Sequence, residues 1–212
     1  NPLTPMRLSI QYLEKAWQEK APDWDERLER FSKTMVEQID NLSVIASEFS
    51  DFAKMPAGKN NKINLRSFIP DLIPFFDDQD KLTIRLELPL SDEPLWVNAD
   101  KQQLLRVFNN LINNAVQSYP KGAEATIDLS CNREVLLDQG KTYYRIDVKD
   151  YGCGIPDELK KNIFSPNFTT KTSGMGLGLS MVKSIIESAG GQVSFHSEEG
   201  QGSIFSFRLP AL

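Results

Sequence analysis

Apolar residues recur along the N-terminal quarter of the chain at alternating spacings of three and four. Leu3, Met6, Ile10, Leu13 and Trp17 form one series. Leu28, Phe31, Met35, Leu42, Ile45, Phe49 and Phe52 form a second, interrupted by the polar Gln38. This is the a/d seam of helices that pack on one another, narrower than the apolar face of an ordinary surface helix. The break Lys20-Ala-Pro-Asp-Trp-Asp separates the two series, and Asp23 with Glu26 provides a capping box for the second helix. Residues 1–55 are therefore expected to form an antiparallel helical hairpin. One hairpin buries such seams poorly, so the expected solution is a four-helix bundle made by two chains, a homodimer. Packing of both helices on the rest of the chain is the alternative.

Met55-Pro-Ala-Gly-Lys-Asn-Asn-Lys62 is punctuated by Pro and Gly and then polar, and residues 56–62 read as a linker. Beyond it, residues 63–212 show mixed periods. Leu82, Ile84, Leu86 and Leu88 alternate as in a half-buried strand, and Leu95–Val97 reads as a short strand leading into Asp100. Asp100 with Gln103 caps a long helix to about Tyr119. Strands are expected at Ala125–Cys131, Tyr143–Lys149, Gln192–Ser197 and Ser203–Leu209, and short helices at 157–163 and 177–189. This order predicts an α+β fold, a sandwich in which helices cover one face of one sheet.

Composition narrows the function. With 24 Lys+Arg against 29 Asp+Glu the net charge is −5, and there is no basic block, which argues against sequence-independent nucleic-acid binding. Two cysteines, Cys131 and Cys153, are too few for a disulfide framework and lack metal-binding spacing; Cys153 reads as a small buried filler. A reducing, cytoplasmic-type compartment suits them. No apolar run approaches the ~18 residues of a membrane span. The opening Asn1-Pro2 carries no initiator Met and no signal pattern, and reads as the start of a piece of a longer protein.

Three stretches carry chemistry. Helix 100–119 holds Asn109, Asn110, Asn113 and Asn114 in its middle, although Asn is a poor helix former because its amide competes for nearby backbone groups. Gln103, Arg106, Asn110, Asn114 and Gln117 share one stripe, while Leu104, Leu105, Phe108, Leu111, Ile112 and Ala115 cover most of the rest. Neutral amide oxygens are hard ligands suited to a Mg²⁺ that keeps waters and substrate phosphates. A solvated face is the plainer reading, but exposed helices normally use Glu and Lys there. Asp150-Tyr-Gly-Cys-Gly-Ile155 places a carboxylate at a strand end beside a turn that a flat ligand can approach closely. Lys171-Thr-Ser-Gly174-Met-Gly176-Leu-Gly178-Leu179 runs into a helix, whose free N–H groups and positive dipole end suit an anion. Its glycines also suit a flexible lid.

In combination these stretches resemble the transmitter core of a two-component sensor histidine kinase, within the GHKL ATPase/kinase superfamily shared with gyrase and Hsp90. The N box resembles Asn110-Leu-Ile-Asn-Asn114-Ala and the G1 box Asp150-Tyr-Gly-Cys-Gly-Ile. The F box resembles Phe164-Ser-Pro-Asn-Phe168-Thr-Thr-Lys171 and the G2 box Gly174-Met-Gly-Leu-Gly-Leu179; Gly190-Gly191 and Gly202-Ser203 through Leu209-Pro210 match the closing segment. The short lid and the Asn-Pro-Leu-Thr-Pro opening look most like nitrogen-regulation sensors. The resemblance implies that ATP is bound with Mg²⁺. Asp150 would accept the adenine amino group, Asn110 and Asn114 would hold Mg²⁺ and phosphates, and Lys171 with Gly174, Gly176 and Gly178 would form the lid. It extends the nucleotide-contacting set to Gln117, Gly152, Gly154, Ile155, Phe164, Thr170, Met175, Leu177, Leu179 and Ser203. One departure stands out: many members place a Lys and an aromatic soon after the N-box Ala, where this chain has Val116-Gln117-Ser118-Tyr119.

The family's phosphoacceptor motif is His-Glu-x-x-Asn-Pro, and Asn1-Pro2 looks like its tail. The resemblance therefore implies an acceptor His just upstream, with Asn1 at the position that orients water for dephosphorylating the partner. His196, the single His present, lies in an expected strand and reads as structural. The implied partners are a second copy of the chain, a response-regulator receiver domain and an upstream sensor domain. The implied location is cytoplasmic, as the soluble portion of a sensor of the kind that is often anchored in the inner membrane. The chain as it stands is expected to bind nucleotide without phosphorylating itself. A superfamily ATPase and a non-catalytic nucleotide-binding scaffold remain the alternative readings.

Overall fold

The computed structural model describes residues 3–20, 22–53, 59–76, 81–120, 122–136, 140–166, 168–169 and 176–212. Helices α1 (Leu3–Gln18) and α2 (Trp24–Ala53) form a unit of their own. The turn between them uses Lys20 at φ 47°, and the rings of Trp17 and Trp24 meet across it with centroids 5.3 Å apart. The Asp23 carboxylate pairs with Arg27 Nε at 2.9 Å, one turn into α2, whose first turn carries Asp25 and Glu26 where the helix dipole favours negative charge.

On α2, Phe31, Met35, Gln38 and Leu42 of the expected seam are half-buried. On α1 the shielded line runs through Met6, Ser9, Leu13 and Ala16, whereas Ile10 and Trp17 of the expected series stand exposed, as does Leu28 on α2. The difference is geometric. A single neighbouring helix covers only part of an a/d stripe.

The remainder of the described chain builds an α+β unit. Strands β1 (Asn61–Asn64) and β3 (Trp96–Ala99) pair antiparallel in a small sheet of their own, and β1 thus begins inside the stretch read as linker. Between them lie a one-turn helix α3 (Leu65–Phe68), a 3-10 segment Pro70–Phe76 and strand β2 (Leu82–Glu87). Helix α4 (Lys101–Val116) follows, then β4 (Ala125–Leu136), β5 (Lys141–Asp150), a one-turn helix α5 (Asp157–Lys160), α6 (Gly178–Ser188), β6 (Gln192–Glu198) and β7 (Gly202–Pro210). The main sheet runs β2-β4-β5-β7-β6, with β2 parallel to β4 and every other pair antiparallel.

Alternation decides which face is covered. Ile127, Leu129 and Cys131 of β4, Ile146 and Val148 of β5, and Phe205, Phe207 and Leu209 of β7 are all buried and form one core with α4 and α6. Burial pushes the Cys131 thiol up to about 12, so it is an inert filler. Phe108 of α4 stands edge-on to Phe207 at 5.6 Å and to Phe68 at 6.1 Å, tying the main sheet and α3 to the helix between them. The intervening residues of the same strands, among them Asp128, Arg145, Asp147 and Lys149, make the opposite, polar face.

Helix α4 starts where Asp100 accepts the amides of Gln102 and Gln103, at 2.8 and 3.0 Å. It ends at Val116, three residues short of the expected Tyr119, because Tyr119 is used otherwise. Its hydroxyl donates to the Thr126 carbonyl at 2.6 Å and accepts the amides of Tyr151, at 2.9 Å, and Thr126, at 3.3 Å. One side chain thereby joins the end of α4 to the start of β4 and to the residue after β5.

Tyr119→Phe removes all three bonds and leaves the partner groups to find water. A loss of about 1–3 kcal/mol is expected, read as a lower urea midpoint with unchanged slope. An unchanged midpoint would mean that solvent replaces the hydroxyl fully.

Candidate functional site

Asp150 closes β5, paired on one side with Ile127 and on the other with Ser203, and is 3% exposed. Two donors converge on its Oδ1: the Gly152 amide at 2.9 Å and Ser118 Oγ at 3.0 Å. Burial pushes the carboxyl above its ordinary 3.8, and the hydrogen bonds from Gly152, Ser118 and Ser203 pull it part of the way back. Among the described residues, neutral donors and not a cation hold this group. A buried carboxylate of that kind keeps its acceptor strength for a ligand instead of spending it on an ion pair.

The turn after Asp150 is squeezed from both sides, which is why it is built on glycine. A Cβ on Gly152 would lie 1.9 Å from Ser118 Oγ. Gly154, at φ +66°, would put one 2.0 Å from the Glu198 carbonyl, in a conformation other residues rarely adopt. Backbone bonds fix the same arrangement: Cys153 N donates to the Ser118 carbonyl at 3.0 Å and Gly200 N to the Cys153 carbonyl at 2.7 Å. Ile155 N donates to Ser197 Oγ at 2.9 Å, and that hydroxyl lies 3.0 Å from Ser203 Oγ. Asp150, Gly152, Gly154, Ile155 and Ser203 are thus gathered into one locus. Cys153 is exposed there, contrary to its reading as a buried filler, because its neighbours' backbone, not its side chain, fills the space.

The amide stripe of α4 faces the start of α6. Asn110 is half-buried, its Nδ2 donates to the Arg106 carbonyl at 2.9 Å, and its Oδ1 lies 2.4 Å from where a Cβ on Gly178 would stand. Glycine at 178 is what lets the first turn of α6 approach the amide. Leu177 just before it is buried and Leu179 just after packs on the core. Gly176, at φ +67°, sits against the Phe168 carbonyl. Asn114 is half-buried one turn beyond Asn110, and Gln117 caps the helix end with its side chain exposed. Phe164 packs edge-on to Phe195 at 5.9 Å and belongs to the aromatic core beside the site. Asn1, Thr170, Lys171, Gly174 and Met175 lie outside the described residues.

Helix α4 therefore carries two poles. Just past its C-terminus, at Ser118, it meets the carboxylate, and at Asn110, nearly two turns before its last residue Val116, it meets the N-terminus of α6, where the first N–H groups of a helix have no intrahelical partner. Such a site suits an elongated ligand with a hydrogen-donating head and an anionic tail. Ser118 and Tyr119 were not among the expected site residues. A signal existed for the first: 110, 114 and 118 continue the stripe at spacings of four.

Because the folded carboxyl of Asp150 titrates above its unfolded value of 3.8, the folded state retains a proton that the unfolded chain has lost. Stability falls as pH rises through that window, and above it the burial of charge is fully opposed to folding. Asp150→Asn is expected to melt at a higher temperature than the parent at neutral pH, with the gap closing as pH falls below 3.8. An equal gap at both pH values would show that the charge is not its cause.

Comparison with known proteins identifies the family. Residues 99–212, just over half of the chain, match the family described as histidine kinase-, DNA gyrase B-, and HSP90-like ATPase. The chain is 32% identical over 214 residues to the sensor histidine kinase ZraS of Salmonella typhimurium, covering all of this chain and 43% of that protein. It is 31% identical to sporulation kinase D of Bacillus subtilis, covering 99% of this chain and 39% of that one. The chain spans less than half the length of these curated relatives. Among solved structures, the nucleotide-free catalytic domain of histidine kinase ThkA superposes with a TM-score of 0.59 at 31% identity, over 71% of this chain and 95% of that one. ThkA in complex with the response regulator protein TrrA superposes with a TM-score of 0.69 at 26% identity, over 100% and 58%. With more than half of its length matched by that family model, the chain belongs to the histidine kinase-, DNA gyrase B- and HSP90-like ATPases.

Proposed function

We propose that this chain is the transmitter core of a two-component sensor histidine kinase and binds ATP between Asp150 and the start of α6. The observation that carries the reading is the Asp150 carboxylate, buried without a cation at one pole of α4, with Asn110 against Gly178 at the other. Asp150 accepts the exocyclic amine of adenine, and Gly152, Gly154, Ile155 and Ser203 line the base. Phe164 supports that wall from behind. Asn110, Asn114 and Gln117 face the phosphates, and the N-terminus of α6 at Gly178 and Leu179 adds backbone donors. Thr170, Lys171, Gly174, Met175, Gly176 and Leu177 belong to the lid, with Lys171 a positive charge for the γ-phosphate.

The donor set suits magnesium. Among the described residues no group of three or more His, Cys, Asp or Glu side chains gathers as a metal cage. An ion on the Asn110 and Asn114 amide oxygens, completed by phosphates and water, matches magnesium's preference for keeping its waters. When bound, Mg²⁺ would supply charge neutralisation along the polyphosphate. Phosphoryl transfer then asks this chain chiefly for placement, with the γ-phosphate held in line with an acceptor.

The acceptor in this reading is a histidine preceding Asn1 in the parent protein, with Asn1 orienting water for the reverse, dephosphorylating step. His196 is not proposed for that role; it stands exposed on the edge strand β6, 3.7 Å from Glu198. Residues 1–55 form the dimerisation and phosphoacceptor hairpin, 56–62 a linker whose last two residues already belong to β1, and 63–212 the catalytic domain. Exposed Ile10, Trp17, Leu28, Val36 and Ile39 are the surface that a second copy would cover to complete a four-helix bundle. An aspartate of a response-regulator receiver domain receives the phosphoryl group in turn, and an upstream sensor domain biases the bundle. Among the described residues no helix is long and apolar enough to cross a membrane, in keeping with a cytoplasmic portion of the sensor.

The reading is tested with the longer protein, including the residues before Asn1, incubated with γ-labelled ATP and Mg²⁺ beside the present chain. Acid-labile, alkali-stable label is expected on the longer protein alone. Label on the present chain would overturn the acceptor assignment, and absence of label from both despite ATP binding would overturn the kinase. In calorimetry Asp150→Asn is expected to weaken ADP roughly 10–100-fold, the worth of one charge-assisted hydrogen bond in a buried setting. Unchanged affinity would sink the pocket assignment.

A further inference from the structure

Ser118 occupies the point where the two halves of the site touch. Its side chain fills the space beneath Gly152 that a Cβ would need, its carbonyl accepts Cys153 N, and its hydroxyl reaches Asp150 Oδ1 at 3.0 Å. The hydroxyl has one proton and two acceptors in reach, the second being the Ala115 carbonyl at 2.7 Å. That carbonyl already accepts the Ser118 amide at 3.2 Å, and it is neutral. An ionised carboxylate in a buried setting is the stronger acceptor. Gly152 N takes the same oxygen from the other side. With Oδ1 held by Gly152 N and Ser118 Oγ, and the Ser203 backbone also bonding the carboxyl, the carboxylate plane cannot turn freely, and Oδ2 is the oxygen that Gly152 and Ser118 leave for a ligand.

We propose that Ser118 is a positioning residue for base selection: its hydroxyl locks Asp150 so that Oδ2 is presented to an exocyclic amine on a purine. The inference rests on the nucleotide-binding reading above and deepens it. Asp150 alone provides an acceptor; Ser118 turns that acceptor into a selective one. A carboxylate free to rotate can satisfy itself with water whichever base is bound, so the preference for the amine is lost even though the pocket remains. Ser118 sits in the turn that ends the helix carrying Asn110 and Asn114, so the selective contact is set by the same element that faces the phosphates.

The test compares ADP with purine riboside 5′-diphosphate, which has the same ring and phosphates and no amine, by titration calorimetry. The parent chain is expected to favour ADP by at least about tenfold. In Ser118→Ala the ADP affinity is expected to fall about tenfold while the analogue's affinity stays within about twofold, so that the preference collapses. Ser118→Thr, which keeps the hydroxyl, is expected to retain it. Adding Ser118→Ala to Asp150→Asn should change ADP binding no further. Should Ser118→Ala not fold, Ser118→Cys, a weak donor of similar shape, is titrated by the same criterion. Equal weakening of both ligands, or an unchanged preference, would overturn the role of Ser118 and leave the Asp150 reading standing. A parent chain that fails to distinguish the two ligands would overturn both.

Discussion

The rest of the site follows from one buried charge. Asp150 lies among apolar strands where an ion pair would neutralise it and an unsupported carboxylate would not stay ionised. The structure answers with neutral donors, and each donor constrains a neighbour. Gly152 must turn its amide back toward the carboxylate, which brings its Cα against Ser118. Ser118 must stand at the end of α4, which stops the helix there and hands the chain to Tyr119. Gly154 must then pass under the Glu198 carbonyl, where only a glycine fits. The glycines of this turn are consequences of crowding around a carboxylate, and their freedom to move is secondary.

Helix α4 sets the length scale. Its apolar side supplies Phe108, the ring between Phe68 and Phe207, while its amide side carries Asn110 and Asn114. The two sides are registered by the same backbone, so one helix seats Asn110 against the start of α6 while the turn that ends it brings Ser118 to the carboxylate. The spacing between those two contacts is therefore set by a helix and a single turn, not by a long loop.

Much of this was legible in the sequence where the signal was local and periodic. The Asp100 cap, the asparagines in mid-helix and the alternating strands all announced themselves, since their causes lie within a few residues. Strands β4 and β5 run further than expected because their outer ends, at residues such as Asn132 and Arg133, are polar and held by cross-strand pairing alone. Helix α3 and the 3-10 segment were missed because four to seven residues cannot display a helical period, and Pro74 lies inside the second. Ser118 and Tyr119 were missed for another reason. Their partners Asp150 and Tyr151 lie 32 residues away, and no spacing rule joins them. In α1 the shielded line shares Met6 and Leu13 with the expected series but passes through Ser9 and Ala16 in place of Ile10 and Trp17, because which side of the helix is covered depends on the neighbour.

The parallel pairing of β2 with β4 has a bearing on how the molecule comes to exist. Parallel neighbours cannot be joined by a tight turn, and here the crossover between them contains β3 and α4. The β2–β4 register, and with it the seat of the crossover helix on the sheet, therefore depends on closing a long loop, an entropic cost met before any reward. The β4–β5 hairpin has no such obstacle and can zip locally. Asp150 stands at the end of a strand that pairs with its neighbour in sequence, whereas Ser118 comes to it from the end of the crossover. The carboxylate and the hydroxyl that holds it thus belong one to a short-range and one to a long-range pairing, and their contact needs both in register.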